Sequence, residues 1–67
     1  MSLNFKELHH DRIVREAERK TLTTISRSQA WVQEQKGLFP KRVKLSTNSV
    51  GWRLSDLLEW IESREAV

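Results

Sequence analysis

Between Phe39 and Arg53 the chain reads FPKRVKLSTNSVGWR: apolar Val43 and Leu45 alternate with basic Arg42 and Lys44, four small polar residues follow, and Val50 and Trp52 resume the alternation. A period of two predicts a β-hairpin with STNS as a four-residue loop, in which Asn48 tolerates a left-handed backbone. On this reading Val43, Leu45, Val50 and Trp52 face a core, while Arg42 and Lys44 point outward. Upstream, Asp11 to Arg15 alternates around Ile13 and Val14 and predicts a short strand. From Glu16 to Thr24 good helix formers lead, and Glu18, Leu22 and Ile25 fall at i, i+4 and i+7, a weakly amphipathic helix. A second helix is expected over SRSQAWVQEQKG, capped by the Ser26 hydroxyl and closed by Gly37 in a left-handed conformation. Pro40 ends any helical continuation. After the hairpin, Leu54, Leu57, Leu58 and Ile61 form a helical stripe with Trp60 at its border, Ser55 as N-cap and Asp56 at the positive end of the dipole.

Short helix, turn, helix, basic hairpin and closing helix describe an α+β fold, a small winged helix-turn-helix. Residues 1–10 are read as an N-terminal tail and 11–67 as the domain. At 67 residues, a single domain buries only about 60% of its unfolded surface, so the core is small. The chain has no Cys, and three Trp and two Phe must supply much of the buried area. Trp52 and Trp60 lie at inward phases of a strand and a helix. Trp31, one turn into a sparse helix, is assigned to the core rather than to a base stack or a thymine methyl group.

Charge sharpens this picture more through its distribution than through its net value of +3. Residues 26–53 carry six Lys and Arg against Glu34 alone, whereas 54–67 carry Arg64 against four acidic residues. A cationic block confined to one segment suits a polyanion, because Lys and Arg displace counterions condensed on phosphates. In a winged helix-turn-helix the second helix enters the major groove by its first residues, here Ser26, Arg27, Ser28 and Gln29. Arg pairs bidentately with guanine O6 and N7 and Gln with adenine N6 and N7, so Arg27 and Gln29 are candidate base readers. Ser26 and Ser28 are expected to cap the helix or touch phosphate. Lys41, Arg42, Lys44 and Arg53 are the expected backbone contacts of the wing, and charges there also discourage strand pairing with another chain.

Other chemistries find little support. Adjacent His9 and His10 do not sit on one helix face as an i, i+4 metal pair would, so no metal or cofactor is expected. No glycine elbow frames Ser26, Ser28 or Ser55, and two Gly cannot cradle a nucleotide phosphate, so the chain is not expected to be an enzyme. No apolar run approaches the roughly 20 residues of a membrane span, and early charges leave no signal-peptide core, which predicts a soluble cytoplasmic protein. A protein-interaction module, with the acidic last helix docked on a basic partner, is the alternative from a different class.

The segments DRIVRE, ISRSQAW, GLFPKRVKLS and NSVGWRLSDLLEWIESR, in that order and spacing, resemble the AlpA family of small prophage regulators. The resemblance runs from Asp11 to about Arg64. It implies a MerR-like winged-helix domain binding double-stranded DNA, either as an activator of integrase or excision genes or, as in related excisionases, as a DNA-bending recombination factor. It also places the recognition helix start at Ser26, Arg27 and Ser28 and the wing at Lys41 to Trp52. A homodimer or a cooperative oligomer on DNA is expected, since one domain on one half-site binds weakly. Four positions depart from the family pattern: Glu16 and Arg19 stand where its first helix is usually apolar, Thr24 where it has a turn glycine, and Gln33 where Leu is common. A β-branched Thr suits a left-handed position poorly, so the turn is expected to be built differently.

Overall fold

The computed structural model describes residues 11–67; the tail 1–10, with His9 and His10, lies outside the described residues. The chain opens on a strand of two residues, β1 (Ile13–Val14), which turns Val14 fully inward. Helices α1 (Glu16–Thr23) and α2 (Arg27–Gln35) follow, then β2 (Val43–Ser46), β3 (Ser49–Arg53) and α3 (Leu54–Glu62). The three strands form one antiparallel sheet in the order β1-β3-β2. Three helices on a small antiparallel sheet make the expected α+β winged helix-turn-helix, with α1 and α2 as the helix pair and β2-β3 as the wing.

The wing's phase differs from the expectation. Thr47 and Asn48 alone form the turn, and neither adopts positive φ; among the described residues only Thr24 and Gly37 do. Val43 pairs with Gly51 and Lys44 with Val50, after which Ser46 pairs with Ser49 around a bulge at Leu45. Direct partners share a face and neighbours alternate. Val43 therefore lies on the face opposite Trp52, whereas Lys44 shares the face of Val50 and Trp52. Leu45 is 40% and Val50 38% exposed, so of the four residues assigned to the core only Trp52 is buried. The physical reason is the short turn with its bulge, since a one-residue slip exchanges the faces of a strand. Val43 and Leu45 instead join Ile13 on the outer face over Gly51. A Cβ at Gly51 would come within 2.6 Å of Ile13 Cγ2 and 3.0 Å of the Val14 carbonyl oxygen, so this approach requires glycine.

Val14, Ala30, Phe39, Trp52 and Leu57 make the core, with Leu22, Ile25, Leu54 and Trp60 packed against it. Phe39 meets Trp52 edge-on at 6.5 Å and Trp60 at 5.0 Å between ring centroids, geometries that favour aromatic pairs. Trp60 stays partly exposed and donates its Nε1–H to the Leu38 carbonyl at 2.9 Å. Trp31 does not join them: it is 53% exposed. Phe39, delivered by the loop after α2, fills the space between the other two indoles.

Ser55 is not the cap of α3. The helix begins one residue earlier, at Leu54, with Arg53 as an N-cap that makes no side-chain cap bond. Ser55 is fully buried, and its backbone N–H and hydroxyl donate to Asp11 Oδ1 and Oδ2, both at 3.1 Å. Asp11 thus satisfies a first-turn donor of α3 from the far end of the chain. Nearby, Arg12 grips the Glu18 carboxylate with both terminal nitrogens, Nη1 to Oε1 at 2.8 Å, tying the lead-in of β1 to α1. The Arg12 hydrogen bond, with added charge attraction, holds the Glu18 carboxyl below its ordinary range. Since the folded-state value is the depressed one, the pair's contribution is present above the unfolded value and fades as pH falls.

The turn between α1 and α2 rests on Arg19. Its side chain is fully buried in a helix where sequence alone offered little to bury. Nε donates to Glu16 Oε1 at 3.2 Å while Nη2 donates to Glu16 Oε2. Nη1 donates to Thr23 Oγ1 at 3.2 Å and to the Ile25 carbonyl at 2.7 Å. The guanidinium carbon also lies 5.7 Å from the Trp52 ring centroid, within cation–π range. Thr24, contrary to expectation, does occupy the left-handed position, at φ 63°, with its N–H on the Lys20 carbonyl at 2.7 Å. Its Cβ is strained there.

Replacing Thr24 by Gly relieves that strain and is expected to stabilise the domain by about 1 kcal/mol, a rise in Tm of roughly 4–8 °C. A melting curve unchanged or lowered would contradict this account of the turn. Arg19→Ala leaves a void and strands the Ile25 carbonyl, and is expected to cost about 3 kcal/mol in urea unfolding. Arg19→Met, which refills the volume, should cost clearly less.

Candidate nucleic-acid interface

α2 is bounded by signals in its own sequence. The Ser26 hydroxyl oxygen accepts from the Gln29 backbone N–H at 3.1 Å, and Gln29 Oε1 accepts from the Ser26 N–H at 3.1 Å, a reciprocal capping box. At the other end Leu38 N–H reaches the Gln33 carbonyl at 2.8 Å and Gly37 N–H the Glu34 carbonyl at 3.0 Å. With Gly37 at φ 74°, this is a Schellman ending, the role expected of that glycine. Ala30 is the buried residue of α2, and the side of the helix next to it, with Arg27 and Trp31, is exposed.

That face and the wing enclose a groove of about 550 Å³. Arg27, Ser28, Trp31 and Val32 line it from α2, and Arg42 and Val50 from the wing side, with Trp52 and Ala30 at its floor. Two carboxylates border it, and both are already engaged, Glu16 with Arg19 and Glu34 with Arg42 Nε at 3.3 Å. Arg27 is therefore the groove's charge on the helix side. The Glu34–Arg42 pair also ties the start of the wing to α2.

The expected site residues divide in two. Arg27, Ser28 and Arg42 come together in the groove. Ser26 and Gln29 are exposed but bound to each other in the cap, and bidentate pairing with adenine would require Gln29 Oε1 to leave the Ser26 N–H. Lys41 and Lys44 are exposed on and before β2. Arg53 sits at the start of α3, with Nη1 3.8 Å from Asp56 Oδ2. Trp31, Val32 and Val50 were not named for this site. Their signal was available only in part, since nothing in the spacing of Trp31 separates an outward from an inward indole.

The family model described as prophage CP4-57 regulatory protein (AlpA) matches residues 12–65. The chain belongs to the AlpA family. No curated protein matches it. The match takes in every strand and helix of the AlpA domain, including both walls of the groove. Among the described residues of this AlpA protein, no helix is long and apolar enough to cross a membrane.

The capping box predicts a stability effect separable from any ligand. Ser26→Ala removes the acceptor for the Gln29 N–H and is expected to lower stability by about 1 kcal/mol. Circular dichroism melts of the variant and its parent provide the check, and equal melting would show that the box contributes nothing.

Proposed function

We propose that this AlpA-family chain is a sequence-specific double-stranded DNA-binding regulator, in which residues 11–67 act as the binding unit. The start of α2 lies in the major groove, and the wing follows the neighbouring backbone. What supports the reading is the shared groove: the outward face of α2, led by Arg27, and Arg42 of the wing side line one concavity beside exposed Lys41 and Lys44. Arg27 serves as a base reader, while Lys41, Arg42, Lys44 and Arg53 contact phosphates. Ser28 contacts a phosphate through its hydroxyl. One such groove covers one half-site, so the protein acts as a dimer or as a cooperative row of copies. Its role is to activate an integrase or excision gene of the element that carries it.

A mobility-shift titration on DNA flanking its own gene, against unrelated DNA of equal length, tests this directly. With four to six phosphate contacts, log K is expected to fall against log salt with a slope of about −4 to −5. Arg27→Ala should relax preference at one base position, and Lys44→Ala should weaken all sequences alike. A flat salt response would overturn the DNA reading. Stepwise extra bands with bending of the fragment would move the role from activation to excision.

A further inference from the structure

Three features compete for a use beyond the contacts already assigned. The shallow hollow between the Gly37–Pro40 loop and α3 is partly closed by its own Arg64, whose guanidinium carbon stands 4.3 Å from the Trp60 ring centroid. The outer sheet face of Ile13, Val43 and Leu45 lies over Gly51, and nothing in the structure shows what would cover it. The third feature is Trp31, which packs into no core and stands in the groove with Val32 and Val50.

We propose that Trp31 is a specificity-determining residue that reads the 5-methyl group of a thymine in the major groove. The proposal rests on the DNA-binding reading and sharpens it. In a helix, successive residues turn by about 100°. Gln29 and Trp31 are therefore about 200° apart, whereas Arg27 and Trp31, four positions apart, share a side. Gln29 faces away from the groove and is held in the capping box; Trp31 faces into it. The second reader on α2 is thus Trp31 and not Gln29.

The chemistry of the groove selects the base. Trp31, Val32 and Val50 make an apolar wall that crosses from helix to wing, all three more than one-third exposed. Thymine alone places an aliphatic group on the major-groove edge, beside the O4 acceptor. An indole offers the matching pair, an apolar face for the methyl group and an Nε1–H that can donate to O4. Arg27 on the helix wall, with Lys41 and Lys44 exposed beside the groove, brings the polyanion to that wall. The cost of leaving this wall in water is recovered only when a ligand with a small apolar group covers it.

The test uses the full chain and the fragment flanking its own gene. After footprinting, each thymine in the protected segment is replaced singly by deoxyuridine, which removes only the methyl group. At one or two positions the parent protein is expected to bind about fourfold more weakly, the factor for burying one methyl group. Trp31→Ala should bind the unmodified fragment at least that much more weakly, show no further loss on the deoxyuridine fragment, and keep the parent's affinity for unrelated DNA. Trp31→Phe should keep part of the discrimination. The exposed side chain predicts unchanged melting for both variants. Indifference of the parent to every deoxyuridine, or undiminished discrimination in Trp31→Ala, would overturn the proposal while leaving DNA binding intact. Equal weakening of Trp31→Ala on all DNA would also overturn it. A parent that prefers no DNA at any salt would remove the DNA reading itself, and the proposal with it.

Discussion

The buried guanidinium of Arg19 is the constraint on which the arrangement of this small domain depends. A charge taken out of water is tolerated only when paired and hydrogen-bonded. Here Nε and Nη2 bind one carboxylate, Nη1 serves two oxygens, and the guanidinium carbon stands over the Trp52 ring. Each contact comes from a different part of the fold: Glu16 from the first turn of α1, Thr23 from its last, Ile25 from the turn, Trp52 from the central strand. An apolar side chain at this position would fill the same volume without dictating where the Ile25 carbonyl must sit. Arg19 does dictate it, and the path of the chain into α2 follows.

That path passes through Thr24 in a conformation its side chain disfavours. A left-handed β-branched residue costs on the order of 1–3 kcal/mol and persists only when its surroundings over-determine it. On one side the Thr24 N–H is held by the Lys20 carbonyl, and on the other the Ile25 carbonyl is held by Arg19. The two ends of α2 thus work on different principles. Gly37 closes the helix without strain, and the capping box opens it by local sequence, but its placement against α1 is imposed by a buried ion.

The parts that could be read in the sequence are those governed by neighbours in the chain. The capping box at Ser26, the Gly37 ending, the extended segment before α1 and the apolar stripe of α3 all follow from local signals, and the order of elements led correctly to a winged helix-turn-helix. What was misread depends on partners far along the chain. Ser55 has the chemistry of a cap, but Asp11, 44 positions away, takes that function. Val43 and Leu45 have the spacing of core residues, but a two-residue turn and a bulge invert the strand. Arg19 resembles a surface residue until Glu16, Thr23 and Trp52 are brought around it. For the groove, the charge and position of Arg27, Ser28 and Arg42 could be read, whereas the outward turn of Trp31 could not, because an indole at that spacing fits a core equally well.

The inverted strand bears directly on how the groove is built. Had Val43 and Leu45 faced inward, Arg42 and Lys44 would have pointed away from the helices, leaving the wing's cations on a surface that α2 does not share. With the observed register, Lys44 lies on the face of Val50 and Trp52, and Arg42 reaches Glu34 of α2. On the outer face Leu45 and Ile13 stand over Gly51, still about two-fifths exposed. The core meanwhile closes with two Trp and Phe39 in edge-on contact. Phe39, delivered by the loop after α2, completes that core without Trp31, which stands out toward the groove.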